Sequence, residues 1–134
     1  MAQIEDIEGI GSQYAEKLKA ADVKTVEKLL EVGATAKGRA ELAKQTDISE
    51  KSILRWVNHA DLFRIKGVAG QFSELLEAAG VDTVPELAQR NAENLQKALA
   101  QTNEEENLAK TTPSLTQVTN WIAEAKTLPK LVSH

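Results

Sequence analysis

The sequence predicts an all-α protein that contains two copies of one helical unit. Residues 7–30 and 65–88 match at eleven of twenty-four positions with a constant offset of 58, which indicates an internal repeat. Apolar residues within both segments recur at helical spacing, and no stretch alternates with the period of two that a strand requires. We therefore expect helices throughout, in two repeats that span residues 7–64 and 65–128.

Length and composition predict how these repeats are organised. A chain of 134 residues without cysteine has the length of one domain and contains neither a disulfide framework nor a thiolate metal site. We expect a single compact domain over residues 1–134. Within it, the two repeats are related by a pseudo-twofold axis and are followed by a short C-terminal tail at 129–134.

Short turns and capping residues separate the helices of each repeat. The first helix is predicted to end at Asp22 in one repeat and at Gly80 in the other, with the left-handed backbone that such turns often need. Thr25 is predicted to cap the helix that follows it. Thr83–Glu86 and Ser114–Gln117 have the spacing of capping boxes.

The later helices are predicted to differ between the repeats. We expect the third helices at residues 36–45 and 92–101, and a longer fourth helix in each repeat, with Trp56 and Trp121 as core anchors. The offset between these tryptophans is 65 rather than 58, so the second repeat has gained a net seven residues. We place them in an exposed, acidic, mobile loop around residues 101–112, where three glutamates are consecutive.

Two glycine turns carry the clearest motif. The segment Ile7–Gly11 (IEGIG), here called the first hairpin, precedes a helix in which Ala15 and Leu18 face inward, and Ile65–Gly70 (IKGVAG), the second hairpin, is a looser copy. This pattern resembles the helix-hairpin-helix signature. The tandem arrangement is similar to a bacterial family of unknown function built from paired helix-hairpin-helix units. The resemblance covers nearly the whole chain and implies two SAM-like helix-hairpin-helix repeats.

The resemblance implies contact with a nucleic-acid backbone. In helix-hairpin-helix proteins, hairpin amides commonly bind a phosphate with help from a nearby lysine or arginine, and some hairpins hold a monovalent cation through backbone carbonyls. Such contacts are independent of base sequence. Weak binding to DNA or RNA is therefore expected. Apart from a monovalent cation at a hairpin, no cofactor is expected. The candidate phosphate-binding residues are Gly9, Ile10, Gly11, Ser12, Lys17, Lys19, Lys66, Gly67, Ala69, Gly70 and Gln71.

The charge distribution keeps a second function open. The net charge is −4, and neither half of the chain has the basic excess of a dedicated nucleic-acid binder. Six basic residues in the segment 37–64, Arg39 and Arg55 among them, are expected to form ordinary solvated helix surface. The first hairpin is the better candidate because no basic residue lies between Lys66 and Arg90. The alternative function is a scaffold or adaptor that presents a helical surface to a partner protein.

The sequence argues against an enzyme. The two histidines, His59 and His134, form neither a metal cluster nor part of a catalytic triad. Lys66 lies where some helix-hairpin-helix glycosylases place a catalytic lysine, but those enzymes are larger, and the aspartate they require has no counterpart here. No signal peptide or apolar run of membrane-spanning length is present. We expect a cytoplasmic protein without membrane contact, and the oligomeric state stays open.

Overall fold

The computed structural model describes residues 2–133, and these divide into two units. Unit 1 comprises the described residues up to Asp61 together with Leu131–Ser133, and unit 2 comprises Leu62–Lys130. Residues 2–133 form eight α-helices and no β-strand, which confirms the all-α prediction. The boundary between the units lies three residues before the predicted repeat boundary at 64/65. The single domain and its pseudo-twofold axis stay predictions.

Unit 1 is built from a short 3₁₀ helix and four α-helices. These are the 3₁₀ helix Ile4–Asp6, α1 (Ser12–Ala20), α2 (Val26–Val32), α3 (Ala36–Thr46) and α4 (Glu50–Leu62). The 3₁₀ helix packs on α1 and α2, and α3 packs on both of these helices. Fully buried aliphatic side chains from every element form the core: Ile4, Leu18, Leu29, Leu42 and Ile53.

Unit 2 contains the remaining helices, which are α5 (Gly70–Ala78), α6 (Val84–Ala88), α7 (Ala92–Glu106) and α8 (Leu115–Ala125). Helix α8 packs on α6 and α7, and α5 packs on α7. The core again consists of buried leucines and valines around one tryptophan, among them Leu75, Leu76, Leu87, Leu95, Leu99 and Trp121. Both units therefore satisfy the helical apolar pattern of the sequence by burying one face of each helix.

The turn that ends the first helix of each unit has the predicted backbone. Asp22 has φ +67° and Gly80 has φ +94°, both left-handed. In each turn the next N–H donates to a carbonyl five residues earlier, from Val23 to Leu18 and from Val81 to Leu76, at 2.8 Å. This bond is typical of the Schellman motif, which satisfies the last carbonyls of a helix.

Two of the three predicted caps are present, and one is wrong. The hydroxyl of Thr25 accepts the N–H of Lys28 at 3.0 Å, and Ser114–Gln117 forms both bonds of a capping box. Thr83 stands at the N-cap position of α6 without a side-chain cap. Its hydroxyl instead lies 3.4 Å from the carboxylate of Glu86, to which it donates, and that carboxylate accepts the N–H of Asp82. Because Glu86 bonds one residue too early, no box forms.

The expected acidic loop is also wrong. Helix α7 continues to Glu106, so the three consecutive glutamates lie in its last turn, where they are exposed. Beyond the helix, the side chain of Asn103 holds Ala109 by both backbone groups, accepting its N–H at 2.8 Å and donating to its carbonyl at 3.1 Å. Ala109 is buried as a result. Helix α7 has fifteen residues against eleven in α3, which accounts for part of the added length.

Each tryptophan has the predicted core position. Trp56 and Trp121 are both 3% exposed. The ring of Tyr14 lies 5.1 Å from that of Trp56 with a 59° tilt, and Phe72 lies 5.4 Å from Trp121 with a 55° tilt. These contacts join the first helix of each unit to its last one, beside the glycine turns.

Candidate functional site

Both hairpins close with the same backbone hydrogen bond. The N–H of Ile10 donates to the carbonyl of Ile7 at 3.2 Å, and the N–H of Val68 donates to Ile65 at 3.0 Å. Gly9 and Gly67 have φ +93° and +89°, a conformation that side chains with a Cβ rarely adopt. The apolar residue that follows each glycine is buried. The amide of Ile10, one of the predicted phosphate contacts, is therefore already bonded within its turn.

A tryptophan lies against each hairpin glycine. A Cβ added at Gly9 would lie 3.7 Å from Nε1 of Trp56, and one added at Gly67 would lie 3.5 Å from Nε1 of Trp121. The indole rings thus support the turns from the core side. Both glycine turns have this contact in common.

The first hairpin leads into an uncapped helix N-terminus. Gly11 is the N-cap of α1 and has no side chain to accept the first amides. The bond from the Ala15 N–H to the Gly11 carbonyl, at 2.9 Å, is the first of the helix. The N–H groups of residues 12–14 belong to the open first turn, which has a partial positive charge from the helix dipole. Gly11 and Ser12, both predicted site residues, are placed at this opening.

Arg55 adds a positive charge to the first hairpin. Its Nη1 atom lies 4.0 Å from the position of a Cβ on Gly9. Arg55 precedes Trp56 on α4, so the packing of the indole on Gly9 brings the guanidinium to the hairpin. Sequence reasoning missed this residue, because it counted Arg55 as part of an ordinary solvated surface. Its position next to the predicted core tryptophan was the available signal.

The two predicted lysines of α1 lie farther from the opening. Lys17 and Lys19 are in the last turn of the helix. A rise of 1.5 Å per residue places Lys17 about 7.5 Å along the axis from Ser12, so Lys17 is more than one helical turn from the start of α1. Nζ of Lys19 binds Oε2 of Glu5 at 2.7 Å, and this hydrogen bond lowers the pKa of the Glu5 carboxyl. Lys19 thus offsets an acidic neighbour of the first hairpin.

The other acidic residues near the first hairpin differ in their local bonding. Oδ2 of Asp6 accepts the N–H of Gln3 at 2.9 Å and so caps the 3₁₀ helix. Glu8 lies in the hairpin itself and is exposed. It is the carboxylate that most directly opposes an anion at this turn.

The second hairpin already holds a carboxylate. The N–H of Lys66 donates to Oε1 of Glu124 at 3.0 Å. A pocket of about 370 Å³ surrounds this bond, and its lining residues are Lys66, Gly67, Gln117, Asn120, Trp121 and Glu124. An anion that approached the Lys66 amide would meet the negative charge of Glu124.

The remaining predicted residues of the second hairpin are also partly engaged. Ala69 is the N-cap of α5 and Gly70 its first residue. The N–H of Phe72 is bonded to the carbonyl of Ala69 at 2.9 Å. The side chain of Gln71 accepts the N–H of Lys110 at 3.2 Å. The first turn of α5 therefore offers fewer open donors than that of α1.

Equivalent positions on α4 and α8 explain the difference in charge. Arg55 is the sixth residue of α4, and Asn120 is the sixth residue of α8. Glu124 is the tenth residue of α8, where α4 has the fully buried His59. At the sixth position, α4 thus has a guanidinium and α8 a neutral amide. At the tenth position, α4 has an imidazole and α8 a carboxylate.

The described residues contain no group of three or more histidine and acidic side chains that could hold a metal ion. His134 lies outside the described residues. A monovalent cation at a hairpin stays a prediction. Between residues 2 and 133, no helix combines the length and apolar character needed to cross a membrane.

The family comparison spans both hairpins and both tryptophan helices. The model of a family described as a domain of unknown function (DUF4332) matches residues 8–128. The chain belongs to this family. No curated protein and no solved structure matches the chain. The DUF4332 region begins within the first hairpin, at Glu8, and ends at Leu128, three residues after α8.

Proposed function

We propose that this DUF4332 protein binds the nucleic-acid backbone weakly and without sequence preference, through the first hairpin. The observation that carries the proposal is the open N-terminus of α1 at Gly11, which lies beside the hairpin glycine and the guanidinium of Arg55. Backbone amides, a helix dipole and a cation together favour a phosphate.

Part of the proposal is that the two units are paired helix-hairpin-helix repeats. Its support is the similarity of the turns: the same hydrogen bond, the same positive φ at Gly9 and Gly67, and a tryptophan against each glycine. Contacts of this kind reach the phosphate and not the base edges, so they provide no sequence preference. The net charge of −4 predicts low affinity, and binding through phosphate contacts should weaken as the salt concentration rises.

The two hairpins contribute unequally in this proposal. Glu124 competes with a phosphate for the Lys66 amide, so the second hairpin binds an anion only when this carboxylate is displaced. The first hairpin has Glu8 as an opposing charge. Arg55 and Lys17 are positively charged and favour an anion, as the open amides do. Binding is therefore assigned to the first hairpin.

The substitution Gly11→Asp tests this assignment. Gly11 has φ −81°, and no heavy atom lies within 4 Å of a Cβ placed there, so the backbone accepts a side chain. Aspartate is a favourable N-cap that would bond the open amides itself and repel a phosphate. We expect affinity for a short labelled duplex, measured by fluorescence anisotropy at low salt, to fall about tenfold, as for the loss of one charge-assisted hydrogen bond, with unchanged circular dichroism.

The matched control is Ala69→Asp, which places the same carboxylate at the N-cap of α5. Because the second hairpin already holds Glu124, this variant should bind like the unmodified protein. Equal losses in both variants would show that the hairpins are equivalent, and unchanged binding in both would contradict the hairpin mechanism. Single-stranded DNA and structured RNA in the same titration identify the preferred nucleic acid.

A protein partner is the alternative, and one feature of unit 2 favours it. Glu104–Glu106 are exposed at the C-terminal end of α7, where the helix dipole disfavours negative charge and the last turn contains no basic residue. Such a locally unfavourable cluster is suited to a basic surface on another protein. A stoichiometric partner that stays bound after nuclease treatment and at high salt would support this function, because phosphate contacts weaken steeply with salt.

A further inference from the structure

Residues 131–133 of the C-terminal segment belong to unit 1 and lie outside its helices. The N–H of Ser133 donates to the carbonyl of Ala34 at 2.8 Å, and the carbonyl of Ser133 accepts Nη2 of Arg39 at 2.8 Å. Val132 is 3% exposed, whereas the preceding Leu131 is 45% exposed. Backbone bonds combined with a pocket for alternate side chains are the usual means of recognising an extended peptide.

Arg39 is the centre of this arrangement. Its side chain is 5% exposed, which contradicts the expected solvated surface, and its Nη1 donates to the carbonyl of Gly33 at 2.8 Å. Burial lowers the pKa of this guanidinium, and the charge of Glu50 opposes that shift. A buried guanidinium needs acceptors for its donors, and the C-terminal segment supplies one of them.

The equivalent position in unit 2 shows that the fold does not require arginine there. Arg39 is the fourth residue of α3, and the fourth residue of α7 is the fully buried Leu95. An aliphatic residue fills this place in unit 2. The arginine of unit 1 is therefore matched to the segment that it holds.

We propose that Gly33, Ala34 and Arg39 form a docking site for an extended peptide, and that the chain's own residues 131–133 are its detachable ligand. Three hydrogen bonds of Ser133, with Ala34 and Arg39, and the buried side chain of Val132 join this ligand to the site. Because these contacts are few, the segment opens without unfolding of the unit. The ligand lies beyond the family match, which ends at Leu128. Arg64 holds the start of the segment through the carbonyl of Pro129 at 2.7 Å.

Carboxypeptidase digestion of the full chain, followed by mass spectrometry, tests the docking. Digestion should pause once it reaches the docked Ser133 and Val132. In Arg39→Met the segment loses a charge-assisted hydrogen bond, so trimming through residue 131 should be at least about tenfold faster. Arg90→Met makes the same chemical change at a residue of unit 2, outside the proposed docking residues, and should leave the rate unchanged. Equal rates in the unmodified protein and Arg39→Met would overturn the proposal.

A second variant keeps the test valid if Arg39→Met disturbs unit 1. Val132→Ala shortens the buried ligand side chain and leaves Gly33, Ala34 and Arg39 as they are. Faster trimming of this variant, with unchanged near-ultraviolet circular dichroism from Trp56, would support docking. An unchanged rate would show that Val132 is not an anchor, which contradicts the site.

Recognition in trans separates a binding site from a tethered contact. A synthetic peptide of residues 128–134 is titrated into the full-length Val132→Ala protein and followed by NMR. Saturable shifts at the amides of Gly33, Ala34 and Arg39 are expected, and a peptide with aspartate in place of Val132 should cause none. Absence of shifts at millimolar peptide would refute a docking site that recognises this sequence.

Discussion

At the scale of single residues, the carboxylate of Glu124 is the main chemical difference between the two hairpins. It accepts the N–H of Lys66 at 3.0 Å, so an anion site that the resemblance implies is filled by a side chain of the protein itself. At the first hairpin, Arg55 lies beside Gly9 instead. One carboxylate and one guanidinium are thus the charges that distinguish two similar turns.

The substitution Glu124→Ala should convert the second hairpin into an anion site. Removal of the carboxylate frees the Lys66 amide and eliminates a like charge, so nucleic-acid affinity at low salt should rise roughly tenfold. Anisotropy titration measures the change. Glu93→Ala on α7 alters the net charge equally and serves as the control. If both variants gain equally, the effect is one of net charge, and the local role of Glu124 is wrong.

At the scale of elements, the C-terminus of α7 carries its charge against the helix dipole. Glu93 lies in the first turn, where a carboxylate is favourable, and Glu106 lies at the other end, where it is not. The helix continues through these glutamates because Asn103 and the buried Ala109 anchor the chain that follows. Tertiary contacts here outweigh an unfavourable local charge.

Reversing these charges should change stability in opposite directions. Glu106→Lys should raise the free energy of unfolding by about 0.5 kcal/mol, because it places a cation at the C-terminal end of the helix, where the dipole favours positive charge. Glu93→Lys should lower it by a similar amount, because it places a cation at the N-terminal end, where the dipole disfavours positive charge. Thermal unfolding at low salt measures both. A stabilising effect of both variants would indicate relief of the net negative charge rather than the dipole.

At the scale of the whole molecule, the net charge of −4 means that the proposed binding depends on the few cations near the first hairpin. Lys17 is among them, whereas Lys19 is paired with Glu5. Affinity should therefore depend on a small number of released counterions. The salt slope, which is the slope of log affinity against log salt concentration, should be smaller in magnitude than that of a basic nucleic-acid binder.

The substitution Lys17→Met should reduce this salt slope by about one unit. The slope of log affinity against log salt counts the phosphates that are neutralised, and Lys17 supplies one of the charges. Lys97→Met, on the exposed surface of α7 in unit 2, is the matched control and should leave the slope unchanged. Identical slopes for all three proteins would show that Lys17 does not contact the backbone.

Local sequence was sufficient for the features that depend on neighbouring residues. The helical periodicity, the left-handed turn at Asp22, and the caps at Thr25 and Ser114 all follow from interactions within a few positions of the chain. The capping box predicted at Thr83 was wrong because Glu86 accepts the N–H of Asp82, one residue before the N-cap, and also accepts the Thr83 hydroxyl. The two tryptophans were identified as core because each recurs at one position of a repeated apolar pattern.

The sequence by itself thus determined the helices, the hairpin glycines and the membership of one tryptophan in each core. Only the tertiary structure decided which charges meet the hairpins and where the C-terminal segment lies. Lys66 and Glu124 are 58 residues apart in the chain, and Arg39 and Ser133 are 94 apart. Such pairs form because packed helices bring distant side chains together, and no short-range periodicity contains that information.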